Sequence, residues 1–149
     1  MLWTIRNGIF GHTLLDAAHV RKAVVYRRGA AMEVRDCAGK TLWQLHQTRP
    51  DTLCVRSSGE TWTAVIRKEG PDAFARPAMA LRLDLQAGAR RVTVTQTPQR
   101  TFEASGGVRI TGILRRTAVL DAAEPMDDAW AALLYALALV LLFQDDVVV

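Results

Sequence analysis

Sixteen of the 19 basic residues in this chain are arginine, and six of these stand in adjacent pairs: Arg27 and Arg28, Arg90 and Arg91, Arg115 and Arg116. A guanidinium presents a planar fork of donors that matches phosphate and carboxylate oxygens. These pairs are therefore the candidate binding residues for a phosphate-bearing partner, nucleic acid or anionic lipid, with plain solvation as the alternative reading. The other residues that could do chemistry lack the spacing for it. His12, His19 and His46 have no partner in an HExxH or Cys/His arrangement, so no metal site is expected. Cys37 and Cys54 are neither a CxxC nor a disulfide framework, and both read as reduced thiols. Ser57, Ser58 and Ser105 sit in glycine-containing turns without the G-x-S-x-G context of a nucleophile elbow. Asp121, Glu124, Asp127 and Asp128 form an acidic cluster but not the D-x-[DN]-x-[DN]-G calcium loop, and favouring a helix start is their expected role. No phosphate-cradling glycine loop is present. The expectation is a protein with no catalytic residues, metal or cofactor.

Charge is divided along the chain. Residues 1–116 hold all 19 Lys and Arg against nine acids, and residues 117–149 hold six acids and no base. A basic body attracts phosphate-bearing surfaces over about a Debye length. The bases are scattered rather than clustered, so no specific nucleic-acid interface is expected.

At 149 residues, half of them apolar, the chain is long enough for one self-sufficient core. A single domain over residues 1–149 and a monomer are expected. The opening "MLWTIRNGIFGH" has no apolar run behind a basic start, which predicts a cytoplasmic protein, peripheral to a membrane at most.

The elements that must carry the arginines show a period of two. In "ALRLDLQAG" Leu81, Leu83 and Leu85 share a face; "RRVTVTQT" alternates Val92 and Val94 with threonines; "ETWTAVIRK" aligns Trp62, Ala64 and Ile66; and "GVRITGILRR" aligns Val108, Ile110 and Leu114. Turn signals separate such segments at Gly29, Gly39, Gly59, Gly70, Gly88 and Gly106. Antiparallel strands over about residues 1–116 follow, with one weak helical signal at "DAAHVRKA", residues 16–23.

The last segment breaks the pattern. From Ala129 to Phe143 no residue is charged, and Leu and Ala cover every side. Pro125 with Asp127 and Asp128 predicts a helix start, and the helix is expected over about 126–143. A helix apolar all round is surrounded either by lipid or by protein. Fifteen residues reach about 22 Å, short of the roughly 30 Å of a membrane core. Acids rather than Lys or Arg flank the run, which also disfavours a span. The segment is expected to fill a closed sheet.

That order of parts carries a family resemblance. "MEVRDCAGKTLWQL" (32–45), with Val34, Asp36 and Gly39 in a V-x-D-x-x-G turn, then "TLCVRSSGETWTAVIRKEG" (52–70), "FEASGGVRITGILRR" (102–116) and an apolar C-terminal helix introduced by acids together resemble the tubby C-terminal-like superfamily. The superfamily includes LURP-one-related proteins, phospholipid scramblases and small bacterial relatives. The likeness covers residues 23–149. It implies a mainly β fold, a closed antiparallel β-barrel enclosing a hydrophobic C-terminal α-helix, and a non-enzymatic interaction with anionic membrane lipid or a protein partner. The rival readings are a tail-anchored membrane protein with a β-rich cytoplasmic domain, and an enzyme whose site is dispersed along the chain.

Overall fold

The computed structural model describes residues 1–9, 11–28, 31–69, 80–97, 99 and 101–147. Twelve strands follow one another: β1 (Leu2–Asn7), β2 (His12–Leu15), β3 (Arg21–Arg28), β4 (Ala31–Asp36), β5 (Thr41–Arg49), β6 (Thr52–Arg56), β7 (Thr61–Glu69), β8 (Ala80–Ala87), β9 (Arg90–Gln96), β10 (Phe102–Ala104), β11 (Val108–Thr111) and β12 (Thr117–Ala122). Each pairs antiparallel with its neighbour in sequence, and β12 returns to β1, so the sheet closes into a barrel. The final element, α1 (Asp128–Val147), threads it.

Period two explains which residues turn inward. Leu81, Leu83 and Leu85 on β8, Trp62 and Ala64 on β7, and Val108 and Ile110 on β11 are all buried, while Arg82 and Asp84 form an ion pair outside at 3.0 Å. Eight strands leave an interior just wide enough for side chains. Twelve leave room for a helix about 10 Å across. Every residue from Ala131 to Leu142 is buried, and the helix packs most closely against β3, β4, β5, β8 and β9. Each enclosed leucine contributes roughly 2 kcal/mol by leaving water. The segment weighed as a membrane span thus lies inside its own sheet. No helix among the described residues is long and apolar enough to cross a membrane.

All four tryptophans hold the point where α1 enters. The Trp3 indole donates to the Asp128 carboxylate at 2.9 Å, and the Trp43 indole donates to the Ala129 carbonyl at 3.1 Å. Trp130 stands between Trp43 and Trp62, with ring centres 5.9 and 5.6 Å away. These contacts fix the entry angle of the helix, since buried indoles need both apolar neighbours and an acceptor. The Asp127 carbonyl accepts from Ala131 N at 3.0 Å, and Asp128 opens the first turn. Pro125, expected inside that turn, lies before it.

Several boundaries differ from the sequence expectation. The barrel includes β1 and β2, upstream of the resembling region, and β12, beyond residue 116. Residues 16–20 form a turn rather than a helical one: Asp16 Oδ1 accepts from Ala18 N and Val20 N, satisfying the backbone locally, and β3 starts at Arg21. Leu114 does not share a strand face with Val108 and Ile110. Gly112 adopts φ +71° and breaks β11, so Ile113 enters the core and Leu114 is left 59% exposed. The hairpin at Val34, Asp36 and Gly39 is as expected: Asp36 Oδ1 accepts from Ala38 N and Lys40 N, both at 2.9 Å. The expected turns at Gly29 and Gly70 lie outside the described residues.

Candidate functional site: a basic rim around the helix exit

An up-and-down barrel has two ends, and the alternation of strand direction assigns each turn to one of them. The end where α1 enters carries the β2–β3, β4–β5, β6–β7, β8–β9 and β10–β11 turns. The opposite end, reached by the C-terminal half of α1, carries the β1–β2, β3–β4, β5–β6 and β11–β12 turns. Because β11, β12, β1, β2, β3 and β4 are consecutive neighbours in the sheet, three of those turns are adjacent on one rim.

The structure brings two of the three arginine pairs to that rim. Arg115 and Arg116 are exposed in the β11–β12 turn, and Arg27 and Arg28 are exposed at the end of β3. Arg27 shares the inward parity of Ala23 and Val25, and its guanidinium lies 3.8 Å over the Phe143 ring, covering the helix exit. Arg28 points along the outer wall. The third pair is not part of this group. Arg90 and Arg91 start β9 at the opposite end, where Arg90 donates to Glu60 Oε1 at 2.8 Å and stacks over Trp62. That ion pair, with the Trp62 indole as a second donor, holds the Glu60 carboxyl below its ordinary value.

The rim also presents two apolar side chains, one that the sequence reading passed over and one that it turned inward. Ile9, at the tip of the β1–β2 turn, is 95% exposed, and Leu114 stands beside Arg115 and Arg116. Exposed Met1, Leu2 and Val20 lie at the opposite end, among mixed charges that include Asp121, Glu124 and Asp127. Arg6 and Arg49 add positive charge towards the exit rim, against the acid Asp51. None of Arg27, Arg28, Arg115 and Arg116 forms an ion pair among the described residues.

One residue organises this end. Asn7 Oδ1 accepts from the Tyr135 hydroxyl of α1 at 2.6 Å and lies 2.8 Å from His12 Nδ1, which must donate because its partner is an acceptor. Asn7 Nδ2 donates to the carbonyls of Arg115 at 2.7 Å and Ile113 at 3.2 Å, and Asn7 N donates to the Arg116 carbonyl at 2.9 Å. The β11–β12 turn and the enclosed helix are thereby tied to the same side chain. Burial pushes the Tyr135 hydroxyl well above its ordinary value, so it remains a donor. Burial, assisted by Arg27, lowers the pKa of His12. Gly8 N donates to Gly11 O at 2.9 Å, and Gly11 admits the turn against β3, since a Cβ there would stand 3.0 Å from the Val25 carbonyl. Gly8, Ile9, Gly11, His12 and Arg27 line a hollow of about 300 Å3 at the mouth.

Two of the serines make structural bonds. Ser105 Oγ accepts from Thr93 N at 2.9 Å across a turn, and Ser57 N donates to the Glu60 carbonyl. Cys37 and Cys54 are free thiols. Among the described residues no three His, Cys, Asp or Glu side chains converge as metal ligands, the acidic cluster at the helix start included. No family model matches this chain, and neither does any curated protein or solved structure.

Proposed function

We propose that this protein is a non-enzymatic interaction domain of tubby-like type that docks on anionic phospholipid surfaces through the exit rim. The observation that carries the reading is the placement of Ile9 and Leu114, two exposed apolar side chains on neighbouring turns, among Arg27, Arg28, Arg115 and Arg116. Apolar tips enter the interface between headgroups and acyl chains, while arginines around them engage headgroup phosphates. Each base near an anionic surface contributes about 1 kcal/mol, so four provide reversible, salt-sensitive attachment rather than insertion. The barrel threaded by its C-terminal helix supports the tubby-like part of the reading, and the surface we assign to it is the cytoplasmic leaflet.

The test is flotation with vesicles of phosphatidylcholine alone or containing phosphatidylserine or phosphoinositide. The protein floats with anionic vesicles at low salt and is released as ionic strength rises. Replacing Arg27, Arg28, Arg115 and Arg116 with Gln weakens retention at least about a hundredfold, and Ile9→Ser with Leu114→Ser weakens it further. Arg90→Gln with Arg91→Gln leaves it unchanged. Equal flotation with neutral vesicles, or undiminished flotation of the fourfold variant, removes the rim from the account and leaves a protein partner as the better reading.

A further inference from the structure

The outer wall of β3–β6 carries a second feature, which begins at the rim and shares Arg28 with it. Cross-strand register aligns two rows of outward side chains: Arg28, Ala31, His46 and Cys54 in one, Tyr26, Glu33, Gln44 and Arg56 in the next. Ala31 contributes only a methyl group, and the wall is hollowed there. The hollow measures about 450 Å3 and is lined by both arginines with His46, Gln44 and Cys54 among others. This size falls within the range of small-molecule sites.

Its two arginines occupy opposite corners. Three strand spacings of about 4.8 Å and two residues of about 3.4 Å place their Cα atoms roughly 16 Å apart, with both side chains reaching into the hollow. Several other arginines on the outside of the barrel are committed to acids, Arg35 to Glu33, Arg82 to Asp84 and Arg90 to Glu60. Arg28 and Arg56 form no ion pair among the described residues, and Arg28 reaches Glu33 only through its field, as the last of the causes that lower that carboxyl. Glu33 is the one acid lining the hollow, and its carboxylate is already matched, by Arg35 at 3.0 Å and by the Thr41 hydroxyl at 2.6 Å. Between the two corners lie Ala31 and the paired Glu33 on β4, and His46 and Gln44 on β5.

We propose that this hollow binds an elongated organic anion that carries an acid at each end and an apolar segment between them. Arg28 and Arg56 each hold one terminal carboxylate, and the spacer lies over Ala31. A bidentate guanidinium–carboxylate bond at each corner makes both length and charge count determine affinity.

Isothermal titration with azelate, succinate and nonanoate tests this. Azelate has two acids and a long spacer, succinate lacks the length, and nonanoate lacks the second acid. Azelate binds, and succinate and nonanoate bind at least tenfold more weakly. Arg56→Gln or Arg28→Gln alone weakens azelate binding tenfold or more, and the double variant abolishes it while its thermal transition is retained. In a Cys37→Ser background azelate also slows the reaction of Cys54 with a maleimide. Arg56→Gln, remote from the exit rim, leaves vesicle flotation unaffected, so failure here and failure of the lipid reading are distinguishable. Azelate without heat or protection overturns the proposal; so does equal binding of the three acids, or undiminished binding by the double variant.

Discussion

At the scale of single residues, Asn7 joins the plug to the rim, because its amide oxygen and nitrogen take different partners. Its oxygen takes the Tyr135 hydroxyl from the plug, and its nitrogen holds the turn that presents Leu114, Arg115 and Arg116. Asn7→Ala leaves the Tyr135 hydroxyl buried without its acceptor, at a cost of about 1–3 kcal/mol, whereas Tyr135→Phe removes donor and demand together and costs about 1 kcal/mol. Denaturant melts of both variants and of the double variant check this. The double variant should be less destabilised than the two costs added, because the orphaned donor is gone. His12 gives the same cluster a pH dependence. Its folded pKa lies below the ordinary histidine value, chiefly through burial and then through Arg27. The unfolded chain therefore takes up a proton that the folded one resists. The contribution of neutral His12 is fully present above about pH 6.5 and is lost as pH falls from there through its lower folded pKa. Melting temperatures of wild type and His12→Gln between pH 7.5 and 5 should show a fall in the wild type that is shallower in the variant.

At the scale of elements, the helix and the sheet depend on each other in a way that neither shows alone. α1 has no polar face to give to water, and the inward faces of the strands enclose a space that the helix fills. Charge placed in that contact has no solvent to relax it. Ala136 is fully enclosed, so Ala136→Asp costs several kcal/mol, enough to abolish cooperative unfolding of a domain with marginal stability. Differential scanning calorimetry decides. A variant that retains the wild-type transition would show that the helix leaves the barrel without consequence, and the enclosed packing would then not be what stabilises the sheet. The turns at the exit rim illustrate the same dependence at smaller cost, since Leu114 is directed outward by the conformation of Gly112 and not by its own polarity.

At the scale of the whole molecule, closure is the decisive property. β1 lies between β2 and β12, and the Met1 backbone also pairs with Ala122, so the first residues complete a sheet whose last strand is more than a hundred positions away. A closed sheet has no edge to offer another chain. Deleting residues 1–20 opens edges on β12 and β3, removes Trp3 from the helix entrance and exposes the side of the plug. Size-exclusion chromatography and calorimetry should then show aggregates without a cooperative transition. A monomeric truncated chain that melts as sharply as the parent would mean that closure is dispensable. Closure also separates the two ends, which is why arginine pairs of identical appearance in sequence meet different surroundings. Two pairs border the helix exit, while in the third Arg90 is committed to Glu60 beside the helix entrance.

By itself, the sequence determined what depends on neighbours along the chain. Alternation in segments such as "ALRLDLQAG" specifies a strand and its buried face, and an uncharged run of 15 residues specifies a helix that must be surrounded. The length of that run and its acidic flanks were enough to favour protein over lipid around it. What β1, β2 and β12 contribute was not legible, because a strand that closes a barrel differs from any other only in its distant partners. For the same reason Ile9 and Leu114 look like core residues in the sequence. Asn7, Gly8 and His12 carry no periodic signal at all. Their roles arise where turns from both ends of the chain meet around the helix, and that convergence is set by the register of a closed sheet, which only the tertiary structure decided.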